Sequence, residues 1–74
     1  MSFSENIKYI RKKSLLSQEA FAQELGVSFA TVNRWESGKC KPSYKALNII
    51  NQYCIENNID YDVTKDLMEV KNDA

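Results

Sequence analysis

The chain contains only two glycines and one proline among its 74 residues. Strands in small domains are joined by tight turns, and these turns depend heavily on glycine and proline. A sequence with so few of them favours helices over a β-rich fold. The length suffices for one domain, and 43% apolar with 27% charged residues is typical of a globular chain. We therefore expect a single small domain built from helices.

Serines precede the first four apolar periodic segments, and a glycine or a pair of asparagines follows the second, third and fourth. Serine is a preferred N-cap, and glycine or asparagine ends a helix in the left-handed conformation. The spacing of Val63, Leu67 and Val70 adds a short fifth helix, and the last four residues are expected to fray. The prediction is a compact all-α bundle of four to five short helices. The first four of them begin after Ser2, Ser17, Ser28 and Ser43 and end at Lys13, Gly26, Ser37 and Asn57–Asn58.

Several residue types needed for catalysis or metal binding are rare or missing. There is no histidine, the commonest general base and zinc ligand. The cysteines form no CxxC pair and are expected to be reduced, Cys54 as a small core residue and Cys40 as a solvent-exposed bystander rather than a redox sensor. No ligand pocket, metal site or phosphate loop is readable, so we expect neither enzymatic activity nor a cofactor. The absence of a membrane-length apolar run or signal peptide favours a cytoplasmic protein.

The second and third predicted helices are separated only by Gly26, Val27 and Ser28. A tight glycine-containing turn between two short helices is typical of a helix-turn-helix, although αα-hairpins share this spacing. The surrounding strings are more specific: LSQEAFAQELGVS at 16–28, TVNRWESGK at 31–39, and then Pro42-Ser43. Together they resemble the phage repressor/Cro-like (XRE) helix-turn-helix family over residues 4–59. The resemblance implies a lambda repressor-like fold that binds operator DNA, often as a dimer, with its third helix in the major groove.

The third predicted helix has two faces at about 100° per residue. Val32 and Trp35 fall on the apolar side, so we assign Trp35 to packing. On the other side, an asparagine and an arginine are the side chains that pair bidentately with adenine and guanine edges. A polar helix face is often merely solvated. Here the helix-turn-helix motif favours a DNA-binding role for it instead. Phe29 lies at the edge, where it either tucks into the core or contacts a base methyl. The predicted base contacts are Phe29, Ala30, Asn33 and Arg34.

Phosphate contacts are expected to position the domain on DNA. The resemblance implies that Gln18, at the start of the second helix, contacts the DNA backbone, and free N–H groups there also suit a phosphate. For the lysines the alternative is a solvated loop, and for Thr31 it is simple packing. The predicted backbone contacts are Gln18, Thr31, Ser37, Lys39, Lys41, Ser43 and Tyr44.

Two further positions follow from the resemblance. Arg11 and Glu36 match family positions that form a partly buried ion pair, which implies a structural role in holding the recognition helix. Leu15 stands where the family often has glycine. This departure predicts either a differently shaped turn after the first helix or a longer first helix.

The formal net charge of zero conceals two opposed halves. Residues 1–45 contain eight positive and four negative side chains, and residues 46–74 contain two and six, so the halves carry +4 and −4. Such asymmetry is typical of nucleic-acid-binding chains. We divide the chain into a helix-turn-helix domain at 1–59 and a C-terminal helix with an acidic tail at 60–74.

The predicted function is a sequence-specific transcription regulator, a repressor that binds double-stranded DNA as a homodimer. The alternative is an antitoxin-like or adaptor protein whose main role is to bind a protein partner through the acidic segment at 60–74. That segment is also the candidate dimer seam. A third interpretation, a family member that has lost DNA binding, is disfavoured by the presence of Gln18, Asn33, Arg34 and Lys39.

Overall fold

Each of the five helices in the described part of the chain begins at a residue whose side chain caps its first turn. The computed structural model describes residues 2–68 and residue 70, and within them it contains helices and no strand. The helices are α1 (Phe3–Lys13), α2 (Gln18–Leu25), α3 (Phe29–Ser37), α4 (Tyr44–Glu56) and α5 (Val63–Leu67). The caps are Ser2, Ser17, Ser28, Ser43 and Asp62, each accepting a backbone N–H of the first turn. The predicted all-α class is confirmed.

The turn between α1 and α2 excludes one of the two alternatives that the sequence raised. α1 ends at Lys13, so the longer first helix is wrong. Leu15 instead adopts the left-handed region at φ 60°, with its side chain 91% exposed. A residue with a Cβ carries a cost of roughly 1–2 kcal/mol there, which glycine avoids. The chain therefore keeps a glycine-type turn, with local strain at Leu15.

The core brings the first four helices together. Phe3 on α1 meets Trp35 on α3 edge to face, with ring centroids 6.2 Å apart. Phe21 on α2 meets Tyr53 on α4 in the same manner, at 5.5 Å. Trp35 is therefore a packing residue, as predicted, and the pairs hold α3 to α1 and α2 to α4. The completely buried hydrophobic residues are Ile7, Ile10, Phe21, Val32 and Ile50.

Cys40 lies elsewhere than the sequence predicts, and Ile55 of α4 faces solvent. Cys40 is half-buried and packs against the core, so its assignment as a solvent-exposed bystander is wrong. Pro42, two positions further along the same loop, is also buried. Ile55 is 62% exposed because it lies about 100° around α4 from the buried Cys54. Burial raises the pKa of the Cys54 thiol to about 11, so this core cysteine stays protonated and unreactive.

A buried polar cluster attaches the C-terminal segment to α1. Asp66 of α5 is only 1% exposed. Its carboxylate accepts hydrogen bonds from the Asn6 amide at 3.1 and 3.2 Å and from the Tyr61 hydroxyl at 2.6 Å. Burial, together with the bond to Asp66, raises the pKa of Tyr61. The sequence gives no local signal of this cluster, because Asn6 and Asp66 are 60 residues apart.

Of the three apolar residues predicted to lie in the fifth helix, two lie in α5 and the third lies after it. α5 ends at Leu67, and Val70 lies beyond it but still packs against the core, as Val63 does. Leu67 is 41% exposed. The predicted fraying of the last four residues, and the acidic Glu69 and Asp73 of the tail, lie outside the described residues. None of the helices described is long and apolar enough to cross a membrane.

Candidate nucleic-acid interface

The turn between α2 and α3 fixes how these two helices meet. Gly26 ends α2 in the left-handed conformation at φ 73°. The N–H of Val27 then bonds to the carbonyl of Ala22 at 3.0 Å, which satisfies an otherwise free carbonyl of the last turn. Ser28 begins α3 by accepting the N–H of Thr31 at 3.1 Å. Three residues with defined hydrogen bonds thus join α2 and α3 with little conformational freedom.

α3 has a buried face and an exposed face. Val32, Trp35 and Glu36 are 0%, 6% and 4% exposed. Phe29 is 50% exposed, so it does not tuck into the core. The side chain of Thr31 is half-buried at the border, where its hydroxyl hydrogen-bonds that of Ser28. The exposed face consists of Phe29, Ala30, Asn33, Arg34 and Ser37.

An ion pair holds the buried side of α3 to α1. The Nε of Arg11 donates to the Oε2 of Glu36 at 2.6 Å, and its Nη2 donates to Oε1 at 3.0 Å. A third donor of Arg11 bonds to the carbonyl of Leu16 at 3.0 Å. Burial raises the pKa of Glu36, but the hydrogen bonds from Arg11 and Gln18 outweigh it, and the net pKa lies below the ordinary value. Glu36 is therefore ionised at neutral pH, and the pair fixes α3 against α1.

Gln18 connects this ion pair to the exposed face of α3. Its Nε2 donates to the Oε1 of Glu36 at 3.1 Å. Its Oε1 accepts from the Nδ2 of Asn33 at 3.3 Å. The sequence identifies each of the three residues as a site residue but misses their connection. Only the crossing of α2 and α3 brings together side chains that lie 15 and 18 positions apart, and no local pattern encodes it.

The loop after α3 supplies polar and cationic side chains beside that helix. Lys39, Lys41 and Ser43 are exposed, and Tyr44 is 69% exposed at the start of α4. The hydroxyl of Ser43 accepts the N–H of Ala46 as the α4 cap, which leaves its own hydrogen free to donate. These residues follow α3 directly, so they extend its exposed C-terminal end with donors suited to an anion.

Hydrogen bonds of the Ser37 hydroxyl group order the C-terminal end of α3. Ser37 donates to the carbonyl of Arg34 at 2.9 Å and accepts the N–H of Lys39 at 3.4 Å. The loop therefore leaves α3 in a defined direction. Over residues 2–68 and 70, no three side chains of the metal-ligating types gather into a cluster.

Two short helices joined by this turn, with the second exposing an asparagine and an arginine, define a helix-turn-helix domain. The profile of the helix-turn-helix family matches residues 7–54, a stretch that contains all of α2 and α3 and most of α1 and α4. The chain belongs to this family, the XRE-type helix-turn-helix proteins. The resemblance stated from the sequence is thereby confirmed.

Two curated relatives are similar to the chain. The HTH-type transcriptional activator BcrR of Enterococcus faecalis is 36% identical over 53 residues, which cover 72% of this chain and 26% of that protein. The uncharacterized HTH-type transcriptional regulator YqaE of Bacillus subtilis (strain 168) is 38% identical over 60 residues, which cover 80% and 50%. The chain thus spans half or less of the length of these relatives. No solved structure was found to match it. The names of the two relatives point to regulation of transcription rather than to catalysis.

Proposed function

We propose that the chain is a DNA-binding transcription regulator that acts as a cytoplasmic repressor and reads its operator through α3 in the major groove. The observation that carries this proposal is the exposed face of α3, which presents Asn33 and Arg34 from a helix held rigidly on its opposite side. The major groove admits an α-helix, and these side-chain types match adenine and guanine edges. Phe29 and Ala30 add apolar contacts for thymine methyl groups. Occupancy of a promoter then blocks polymerase.

Phosphate contacts position the domain in this proposal. Gln18 lies at the N-terminus of α2, where free backbone N–H groups favour an anion. Lys39 and Lys41 add cationic contacts whose strength falls with salt. Thr31, Ser37, Ser43 and Tyr44 add hydroxyl groups as further phosphate contacts. With a net charge of zero, the chain has modest non-specific affinity, so specific binding depends on a few base contacts.

Replacing Arg34 by alanine should weaken binding to the selected operator by about 1–3 kcal/mol and remove the preference at one base position. Replacing Lys41 by alanine should weaken binding to all sequences about equally and reduce the slope of log Kd against log salt by about 1. Fluorescence anisotropy titrations measure both effects, on an operator first selected from random DNA and on its single-base variants. The reason for the difference is that bases specify and phosphates only position.

The matched control is Lys65→Ala, which removes an exposed lysine of α5, outside the proposed interface. It should leave both affinity and salt slope near those of the unaltered chain. Equal and sequence-independent losses for Arg34→Ala and Lys41→Ala would contradict base reading by Arg34.

We further propose that the chain acts as a homodimer whose seam includes the end of α5. Leu67 and Met68 are 41% and 86% exposed there, beyond the part of the C-terminal segment that Asp66 holds to α1. A two-fold dimer would place its two α3 helices about 34 Å apart, one turn of DNA. The same exposed apolar pair favours the second candidate function, an antitoxin-like or adaptor role in which a protein partner binds this segment.

The double variant Leu67→Asp/Met68→Asp should shift the protein from dimer to monomer and reduce operator affinity at least about tenfold, because carboxylates of the two copies would repel across the seam. Light scattering and anisotropy measure the two effects. Leu15→Asn is the control, since it removes an apolar side chain that is 91% exposed in a different part of the molecule. A dimer that survives the double substitution would place the seam elsewhere. A chain that is monomeric without any substitution would contradict the homodimer and favour the protein-partner role.

A further inference from the structure

We propose that Gln18 is a positioning residue that fixes the polarity of the Asn33 amide, so that Asn33 selects an adenine in the operator. The inference rests on the proposed function, because it assigns a base to one residue of the reading face. What supports it is the line of hydrogen bonds that runs from the buried ion pair, through Gln18, to the exposed side chain of Asn33.

The first step is set by the Glu36 carboxylate. An ionised carboxylate only accepts hydrogen bonds. The Oε1 of Glu36 receives a donor of Arg11 at 3.0 Å and the Nε2 of Gln18 at 3.1 Å, and Glu36 is 4% exposed. The opposite orientation of the Gln18 amide would set two acceptor oxygens against each other in a nearly dry site. Glu36 therefore determines which end of the Gln18 amide points inward.

The second step transmits this orientation to α3. With its nitrogen turned to Glu36, Gln18 presents its Oε1 to Asn33, and that oxygen can only accept. Asn33 must therefore turn its Nδ2 toward Gln18, as the 3.3 Å bond shows. This leaves Asn33 with a free Oδ1 acceptor and one free Nδ2 hydrogen on the exposed face. Its polarity is defined before any DNA is bound.

The third step matches these free groups to the base edges. In the major groove adenine presents an acceptor at N7 beside a donor at N6, which complements one donor and one acceptor. Guanine presents two acceptors, O6 and N7, and Asn33 has only one hydrogen left for them. Cytosine offers a donor alone, and thymine an acceptor with a methyl group. Only adenine satisfies both free groups of the Asn33 amide.

The positioning role differs measurably from a phosphate contact. The second Nε2 hydrogen of Gln18 remains available to a phosphate oxygen while the relay stays intact. Loss of a phosphate contact weakens binding to all sequences alike, whereas loss of the relay frees the Asn33 amide to rotate and removes preference at one base. The two roles are therefore separated by the base preference at a single position.

The experiment uses the full chain and the operator that it selects from random DNA. Asn33→Ala first identifies the operator position at which the base preference disappears. We expect the base preferred there by the unaltered chain to be adenine. Gln18→Met, of similar length without a hydrogen-bonding group, should then reduce the preference at that position from the order of 10- to 100-fold to below about threefold. The preference removed by Arg34→Ala should persist in Gln18→Met. Replacing that adenine by 7-deazaadenine, which lacks N7, should weaken the unaltered chain but scarcely affect Gln18→Met.

A second measurement needs no substitution. In the free protein, ¹⁵N relaxation should show the side-chain amide of Asn33 as rigid as the backbone of α3, and a freely mobile amide would overturn the inference. The inference would also be overturned if Gln18→Met lost affinity equally on all sequences and kept the adenine preference. Gln18 would then be a phosphate contact only. If Asn33→Ala changes no base preference while Arg34→Ala does, the proposed function stands and the inference fails. A chain that selects no sequence would overturn the proposed function itself.

Discussion

Replacing Glu36 by alanine is expected to lower the free energy of unfolding by about 3–5 kcal/mol. The substitution leaves the Arg11 guanidinium, whose side chain is 16% exposed, with the Leu16 carbonyl as its remaining partner. It also removes the acceptor of the Gln18 amide. A domain of this size has a total stability of only roughly 4–11 kcal/mol, so the loss is a large fraction of it. Urea denaturation followed by circular dichroism measures the change, and the thermal midpoint should fall by about 12 °C or more.

The matched control is Glu24→Ala, which makes the same chemical change at an exposed position of α2. It should alter the free energy of unfolding by no more than about 0.5 kcal/mol. The double variant Arg11→Met/Glu36→Leu should recover most of the stability, because it leaves no unpaired charge in a buried site. A loss for Glu36→Ala no larger than that of Glu24→Ala would show that the ion pair contributes nothing to holding α3.

The pH dependence of stability provides a second readout of the same variant. The pKa of Glu36 lies below its ordinary value of 4.5 in the folded chain because the hydrogen bonds from Arg11 and Gln18 outweigh burial. A carboxyl group with a lowered folded pKa stabilises the fold fully above its unfolded value, and this contribution disappears as the pH falls through the folded pKa. The stability difference between the unaltered chain and Glu36→Ala should therefore be constant above about pH 5.5 and shrink progressively below pH 4.5.

The helix boundaries were predictable because their causes are local. Serine caps and the left-handed glycines Gly26 and Gly38 act on backbone groups within one turn, so their effect is visible in the sequence. The left-handed conformation of Leu15 at φ 60° could not be predicted in this way, because a leucine side chain itself disfavours it. The burial of Asp66 depends on Asn6 at the other end of the chain, and no periodicity encodes such a pair.

In the candidate interface too, features with local causes could be predicted from the sequence, and features that depend on packing between helices could not. The exposed face of α3 follows from helical periodicity, which already separates Asn33 and Arg34 from Val32 and Trp35. Whether Phe29 packs inside or faces outward depends on how closely α3 approaches its neighbours, and the structure leaves it half exposed. The connection through Gln18 depends on the crossing of α2 and α3. Positions on one helix face can thus be predicted from sequence, whereas contacts between faces cannot.

Two phenylalanines separate the role of packing from that of reading DNA. Phe21→Ala is expected to lower the free energy of unfolding by about 3–5 kcal/mol, because Phe21 is completely buried and its edge-to-face contact joins α2 to Tyr53 on α4. Phe29→Ala, the same change on the exposed face of α3, should cost less than about 1 kcal/mol of stability. Thermal unfolding with and without operator DNA measures both variants. Operator at 100 times Kd should add about 2.7 kcal/mol to the folded state of Phe21→Ala.

The proposal is tested by which property each variant loses: Phe21→Ala should lose stability, and Phe29→Ala should lose operator affinity. Once the folded fraction of Phe21→Ala is taken into account, its affinity for the operator should equal that of the unaltered chain, because the surface of α3 is unchanged. Phe29→Ala should fold normally and bind the operator more weakly, with an unchanged salt slope, since an apolar contact releases no counterions. A Phe29→Ala variant that binds the operator with full affinity would exclude Phe29 from the interface. A Phe21→Ala variant that operator DNA fails to stabilise would show that α2 packing and DNA reading are not separable in this domain.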